Sequence, residues 1–510
     1  MPDRDTLPGN PPDLRPESSS GRPLQATRCP ICDSARMHYA FSIQGARVLQ
    51  CEDCRFTARS SSSSTQLADG RAAAAAFEAR AGPLDVALAP LVLARGDSRL
   101  RLVVWQSDSS VHLEPGAGAA VSVGQLEAFV DPMASLGSLR SVVAADEPVV
   151  FVFCDVRCSG VEPGTDAWSR LIRERHAYVD TNTALTILFR AGFRCLGVQR
   201  LRRRATVAEV LDDTHGTFMR RGWRPHLLAL LPRALRRRIR INAHLSDVAI
   251  LATPRPTFAP VVSVVVPVFN EAATVGRVLD AVLGVKFEGA GLEVVIVDSN
   301  STDGSREIVQ RYADHPRVTC LFEDRPRGKG HATRLGLAHA RGDVILIQDA
   351  DLEYDIEDFH ALIQPILNGH AALVLGSRHG GRSHWKLRQF GKPLLSKFYN
   401  LAHVLVTAFI NVLFGLSLRD PQTMYKVCRR DCIEGLTFRG NYFDFDYELL
   451  LKIVRRGYRP VEVPVNYRSR SHAEGKKLYM RRDAPLGLLM ILRLRLLRLK
   501  SFLHLGDRIE

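Results

Sequence analysis

From Val261 onward the hydrophobic pattern of the chain becomes regular. VVSVVVPV, LEVVIVD, VTCLF, VILIQD and AALVLG are short apolar runs, separated by amphipathic segments such as EAATVGRVLDAVL and RGKGHATRLGLAHA. Unbroken runs rich in β-branched residues suit strands covered on both faces. Strands alternating with helices predict an α/β domain, a mainly parallel sheet with helices on both sides. The chain turns polar where three of these runs stop. Phe269, Asn270 and Glu271 follow the first, Asp298 ends the second, and Asp349 and Asp351 follow the fourth. Ligands bind outside the carboxyl ends of the strands in such sheets, so these residues are expected to share a site.

Upstream the pattern is weaker. LRLVVW and EPVVFVFCD read as buried strands, and HAYVDTNTALTILFRAGF reads as a helix stopped near Gly192. The 510 residues leave room for roughly three domains of about 100 to 200 residues each. Pro254, Pro256 and Pro260 mark an extended linker. The expected division is a disordered tail over 1–25, a cysteine hairpin over 26–60, a linker over 61–82, a smaller α/β unit over 83–253, the proline linker over 254–260, the main domain over 261–480 and a basic amphipathic tail over 481–510.

Cys29-Pro-Ile-Cys32 and Cys51-Glu-Asp-Cys54 are separated by a stretch with the apolar and aromatic content of a small hairpin. Two such pairs can close a tetrahedral Zn²⁺ site with four thiolates and no open position, a structural zinc ribbon. The N-terminus has neither the basic start nor the apolar core of a signal peptide. A reducing compartment is therefore expected, with the ten cysteines as thiols or ligands rather than disulfides. Cys154 and Cys158 lack a second pair at suitable spacing and read as core thiols.

Charge narrows the partners. The excess of 69 Lys and Arg over 54 Asp and Glu, a net +15, favours anions: nucleic acid, phospholipid or phosphorylated substrates. LRRRATVAEV and RALRRRIR read as solvated helix faces, with an anionic membrane contact as the alternative. SKFYNLAHVLVTAFINVLFGLSL is apolar but interrupted by His403 and Asn411, whereas a span wants about 20 apolar residues. It fits an interfacial helix, with a buried core helix as the competing reading. APLGLLMILRLRLLRLK, with Arg493, Arg495, Arg498 and Lys500, suits the headgroup zone of an anionic leaflet.

The centre of the chemistry is VILIQDADLEYDIED. With only Ala350 between them, Asp349 and Asp351 can point into one cavity in a non-helical turn. Two hard oxygen donors suit Mg²⁺ or Mn²⁺, completed by a substrate diphosphate. A plain acidic lead into the helix near Asp355, favoured by its dipole, is the structural alternative.

Two family resemblances enter on these residues. PVFNEAATV, VDSNSTDGS, RGKGHATRLGLAHARGDVILIQDADLEYDIED, GSRHGG, DPQTMYKV and YRSRSHAEGKK together resemble a family-2 glycosyltransferase of GT-A fold, most similar to the polyprenyl-phosphate branch. The resemblance implies a nucleotide-sugar donor and a polyprenyl-phosphate acceptor. It places Pro267, Phe269, Glu271 and Asp298 around the nucleotide, and Asp349 and Asp351 on the metal. Arg378, Arg470, Lys476 and Lys477 fall on donor or acceptor phosphate. Asp298 is followed by Ser299 where many members carry a second acid. A phosphate acceptor needs little base help, whereas a sugar hydroxyl would need a carboxylate; Asp420, Asp444, Asp446 and Glu448 are the candidates.

The cysteine hairpin followed by Glu127, Asp131 and Pro132 and the segment from His176 to FRAGF resemble the second half of a class I S-adenosylmethionine methyltransferase. The glycine cluster at Gly116 and Gly118 lies about a dozen residues before Glu127, too close for a βαβ crossover. The resemblance therefore implies a degenerate domain, kept for packing or partner binding, that does not take the cofactor.

The reading is a metal-dependent, inverting glycosyltransferase of the hexosyltransferase type, cytoplasmic and peripheral on the inner membrane face. Its rivals are a bifunctional protein that also methylates a glycan, and a ribbon protein binding nucleic acid through its Arg clusters. No specific nucleic acid is expected, and oligomeric state is left open.

Overall fold

The computed structural model describes residues 28–29, 31–43, 46–53, 57–59, 100–105, 111–113, 119–123, 132–143, 147–154, 177–178, 180–211, 231–255, 259–379, 393–468 and 480–496. The 1–25 tail, the 61–82 linker, Cys54, Glu127, Asp131, Cys158, His176, Arg470, Lys476, Lys477, Arg498 and Lys500 lie outside them.

Among the described residues three sheets form. The first carries the cysteines: β1 (Met37–Ile43) pairs antiparallel with β2 (Ala46–Cys51), as the hairpin reading expects, and β2 with β3 (Thr57–Arg59). The second comprises β4 (Leu100–Trp105), β5 (Val111–Leu113), β6 (Ala119–Val123) and β7 (Val149–Cys154), with helix α1 (Pro132–Val142) between the last two. β8 (Ala177–Tyr178) does not join it but pairs with β3, so the sheet that carries the cysteines takes in a strand from far along the chain.

Helix α2 (Thr181–Arg190) is capped by Asp180, whose carboxylate accepts from Thr183 N–H at 2.8 Å, and stops at Gly192 with φ +85°. The helix predicted from His176 is thus shorter at its start. β9 (Phe193–Thr206) follows, then α3 (Val207–Leu211), α4 (Arg233–Arg238) and β10 (Arg240–Pro254). β10 runs antiparallel between β7 and β9. Arg202, Arg203 and Arg204 therefore sit on a strand, which corrects the helical reading of LRRRATVAEV over its first six residues, while VAEV lies in α3. The RALRRRIR segment does contain a solvated helix, α4.

The third sheet is the main domain. β11 (Val261–Val268), β12 (Gly291–Asp298), β13 (Val318–Phe322) and β14 (Val344–Ile347) are mutually parallel. Helices α5 (Val275–Gly284), α6 (Ser305–Gln310) and α7 (Lys329–His339) connect them. After α8 (Phe359–Leu367) and β15 (Leu373–Ser377), the long α9 (Pro393–Phe414) leads to β16 (Lys426–Arg429). β16 inserts antiparallel between β14 and β15. Helix α10 (Asp444–Arg455), β17 (Val461–Pro464) and α11 (Met480–Leu496) are the last elements among the described residues. The order β13-β12-β11-β14-β16-β15-β17 is a mainly parallel α/β sheet of GT-A type. β11, β14 and β15 are almost wholly buried, and β12 is buried from Val294 to Asp298, as apolar runs of this kind demand.

The second unit docks on the amino edge of this sheet. The Phe189 ring lies 4.3 Å from the guanidinium of Arg255 and 5.4 Å from that of Arg429. Arg429 is fully buried, donates to Thr186 Oγ1 at 2.7 Å and is forked on Asp431 at 3.0 and 2.9 Å. Guanidinium buried this deeply needs its partner acid and hydrogen-bond acceptors, and the aromatic face adds a cation–π attraction.

Candidate functional site

The carboxylate turn begins where β14 ends. Thr274, at the start of α5, donates to the Ala350 carbonyl at 2.7 Å, and Gln348 Nε2 donates to the Asp349 carbonyl at 2.8 Å while its Oε1 accepts from the Tyr425 hydroxyl at 2.7 Å. Asp351 Oδ1 accepts from Glu353 N–H at 3.1 Å. Leu352 takes φ +55°, a left-handed conformation that a branched side chain adopts only when its surroundings impose it. The backbone is thereby held in a turn that presents both acids to the same cavity of about 670 Å³.

Sequence reasoning missed the group that meets them. Lys329 Nζ lies 2.5 Å from Asp349 Oδ1. Burial works against its charge, but Asp349, Asp446 and Asp351 outweigh it and hold its pKa above the ordinary lysine value. Its neighbours explain the RGKG pattern: a side chain at Gly328 would collide with the Asn441 backbone and the Tyr442 ring, and one at Gly330 with Phe445. The two glycines let the start of α7 press against the loop before α10, and the lysine between them reaches the acids.

Pro267, Phe269 and Glu271 line the cavity. Asp298 does not. It is fully buried, ion-paired to Arg306 at 3.0 Å and within 3.3 Å of Ser301 N–H, while the next residue, Ser299, lines the cavity. Successive strand residues face opposite ways, so the acid at the end of β12 points into the fold and cannot contact a ribose directly. Its role is to hold the following loop.

The candidate bases separate on the same grounds. Asp420 is fully buried and takes Arg378 Nε at 2.8 Å and Nη2 at 2.7 Å. Burial would push its pKa up, but Arg378 holds it well below the usual carboxylate range. It is no base. Arg378 does line the cavity, but the Nε edge of its fork is committed to Asp420, so only the remainder of the guanidinium can meet a phosphate. Glu448 accepts from the N–H groups of Arg439 and Gly440 at 2.8 and 2.7 Å and pairs with Lys452 at 2.6 Å, a loop brace. Asp444 accepts from Tyr442 N–H at 2.9 Å near the start of α10. Asp446 alone among these acids lines the cavity, and burial raises its pKa although Lys426 and Lys329 pull it down.

Two helices form the apolar wall of the cavity, with Ala402 and Val406 from α9 and Leu488 and Ile491 from α11. Gly487 lets α11 lie against the Tyr447 ring. His403 faces inward, and Asn411 bonds Leu418 N–H and C=O at 3.0 and 2.8 Å. The residues that interrupt the apolar stretch therefore face protein, while Leu405, Val412, Leu489 and Leu496 are strongly exposed. Among the described residues no helix is long and apolar enough to cross a membrane.

The Sγ atoms of Cys29, Cys32 and Cys51 lie within 4.8 Å of one another, and the three residues are buried. Asp33 at φ +56° turns the first knuckle. His370 of the main domain places Nε2 at 3.3 Å from the Cys32 carbonyl oxygen.

Residues 263–419 match the family model described as glycosyl transferase family 2. The low-salt glycan biosynthesis hexosyltransferase Agl6 of Haloferax volcanii is 26% identical over 45% of this chain and 53% of its own length. The dolichyl-phosphate beta-glucosyltransferase ALG5A of Trichomonas vaginalis is 30% identical over 42% of this chain and 67% of its own. The chain thus spans about half to two thirds of the length of these curated relatives. Among solved structures, glucosyl-3-phosphoglycerate synthase from Mycobacterium tuberculosis, in complex with Mn²⁺, UDP and glucosyl-3-phosphoglycerate, is similar at 23% identity. That match has a TM-score of 0.35 and covers 47% of this chain and 82% of that one. The family match opens two residues into β11 and stops one residue short of Asp420, taking in the strands that carry the carboxylate turn, and the chain belongs to glycosyl transferase family 2.

Proposed function

We propose that the protein moves a sugar, of hexose type, from a nucleotide-sugar donor to a polyprenyl-phosphate-type acceptor at the cytoplasmic face of a membrane, with inversion at the anomeric carbon. One observation carries this reading: Asp349 and Asp351 line the same cavity as Ala402 and Val406 of α9 and Leu488 and Ile491 of α11. Polar chemistry and a greasy wall in one space suit an acceptor that is phosphate at one end and hydrocarbon at the other. The name of the Trichomonas relative, a dolichyl-phosphate glucosyltransferase, supports the same acceptor class.

The donor set at Asp349 and Asp351 fits Mg²⁺ or Mn²⁺: both donors are hard carboxylates, and Lys329 at 2.5 Å marks a position that attracts positive charge. Such an ion supplies charge neutralisation for the departing nucleoside diphosphate. The remaining roles belong to the chain. Pro267, Phe269, Glu271 and Ser299 shape the pocket for the nucleoside, and Lys329 and Arg378 supply positive charge along the diphosphate. The acceptor phosphate, ionised near neutral pH, attacks the anomeric carbon from the face opposite the diphosphate and needs no strong base. Arg470, Lys476 and Lys477 are assigned to that phosphate by their motif alone. Asp446 would be the base if the acceptor were a sugar hydroxyl.

Exposed Leu405, Val412, Leu489 and Leu496, with Arg493 and Arg495 nearby, support peripheral docking on an anionic leaflet. The cysteine cluster supports structural Zn²⁺. The 83–253 unit is read as a methyltransferase-like remnant that binds its neighbours rather than S-adenosylmethionine. Micromolar S-adenosylmethionine binding by isothermal titration would overturn that part.

A screen of nucleotide-sugar donors with polyprenyl phosphate and Mn²⁺ or Mg²⁺, reading released nucleotide, tests the whole. Acceptor-dependent release that disappears in Asp349→Asn is the expected result. No release with any lipid phosphate, alongside transfer to a soluble sugar, would overturn the acceptor assignment and bring Asp446 forward as base.

A further inference from the structure

A second group of metal-ligating side chains lies beside the cavity, and sugar transfer as described above draws on it only through the hold of Asp420 on Arg378. His379 follows the end of β15, and His403 comes from α9. Their Nε2 atoms are 3.1 Å apart, and both residues are at most 3% exposed. Asp420 Oδ1 is 3.8 Å from His403 Nε2, and the three ligand atoms lie within 4.8 Å of one another. The rings are inclined at 43° with centroids 5.2 Å apart, so their nitrogen edges converge and the faces do not stack. Two imidazole nitrogens on one tetrahedral ion, each at about 2.0–2.1 Å, stand roughly 3.3–3.4 Å apart, close to the separation found here.

We propose that His379, His403 and Asp420 form a second cation site, distinct from the carboxylate turn, that takes a borderline divalent ion of the Zn²⁺ or Co²⁺ class. Two imidazoles and one carboxylate select such an ion over Mg²⁺, which prefers an all-oxygen shell. Three protein ligands leave a fourth position, and His403 is the ligand that lines the cavity. Arg378 shares the Asp420 carboxylate, so an ion there adds to positive charge already present. The charge balance calls for an anionic fourth ligand, and the open side of the site is where a phosphate group in the cavity would enter. The site does not rest on the identity of donor or acceptor.

The test uses tag-free full-length protein at saturating Zn²⁺. Zinc per chain is measured by atomic emission for the parent, His379→Asn and His403→Ala, with X-ray absorption at the zinc edge on each. The parent is expected to hold one equivalent more than either variant, and to show scattering from two imidazoles on one ion that both variants lose. The ribbon's sulfur scattering stays in all three. Equal zinc content in parent and variants, or a parent without two-imidazole scattering, would reduce the cluster to a hydrogen-bonded histidine pair. If a variant does not fold, the parent spectrum decides alone: His370 near the cysteines can contribute one imidazole, so two on one ion are required.

Discussion

Asp343 and Asp349 stand six residues apart at the two ends of β14, and their surroundings could hardly differ more. Asp343, at the amino edge, is 3.1 Å from Arg194 and 3.4 Å from Arg255 and accepts from Val261 N–H at 3.0 Å. It joins the second unit to the sheet. Asp349, at the carboxyl edge, meets Lys329 and a cavity. One strand thus carries the same side chain as a clamp at one end and as candidate chemistry at the other. The amino edge is covered by another unit, while the carboxyl edge opens on the cavity.

The largest effect should come from the clamp. Asp343→Ala leaves Arg255 buried beside Phe189 with its acid gone, and breaking a buried pair in this way costs about 3–5 kcal/mol. Urea unfolding is expected to show that loss, while the fraction still folded keeps its turnover; an equal fall in both would mean that the two ends are not separable. Asp349→Asn should behave in the opposite way, lowering kcat by roughly 10²–10³-fold with little change in the unfolding midpoint. Nucleotide-release kinetics beside the same urea series would expose a structural role if stability fell instead.

A third comparison uses pH. Arg378 holds the Asp420 pKa below its unfolded value, so its contribution to stability is present above the unfolded carboxylate pKa and is lost as pH falls through the folded one. The stability gap between parent and Asp420→Asn should stay level from neutral pH down to about pH 5 and close only in stronger acid. A gap that widens as pH falls would contradict the assignment. The smallest effect is expected at the surface: Leu405→Asp with Leu489→Asp should weaken flotation with anionic liposomes severalfold and leave the unfolding free energy within about 0.5 kcal/mol of the parent. Unchanged flotation would remove the membrane role of α9 and α11.

Much of this was legible from residue order because it depends on neighbours in the chain. Unbroken apolar runs announced β11, β12 and β14, and the polar residues after each run announced the edge where ligands gather. Asp298 shows the limit of that logic. A strand end can be located from sequence, but whether its last side chain faces the cavity or the fold depends on register, and Arg306 from the next helix decided it. Asp420 and Glu448 likewise read as candidate bases until their partners, Arg378 and the loop before α10, were in place.

By itself, then, the amino-acid sequence determined the alternation of strand and helix, the cysteine hairpin, and the pair of acids at the end of β14, all properties of local pattern. Tertiary structure alone decided that β16 slips antiparallel between β14 and β15, that Lys329 reaches Asp349, and that His379 and His403 meet. Those pairings join residues far apart in the chain. Their geometry follows from how helices and strands pack and from which charges must share a buried space, and no window of sequence carries that information.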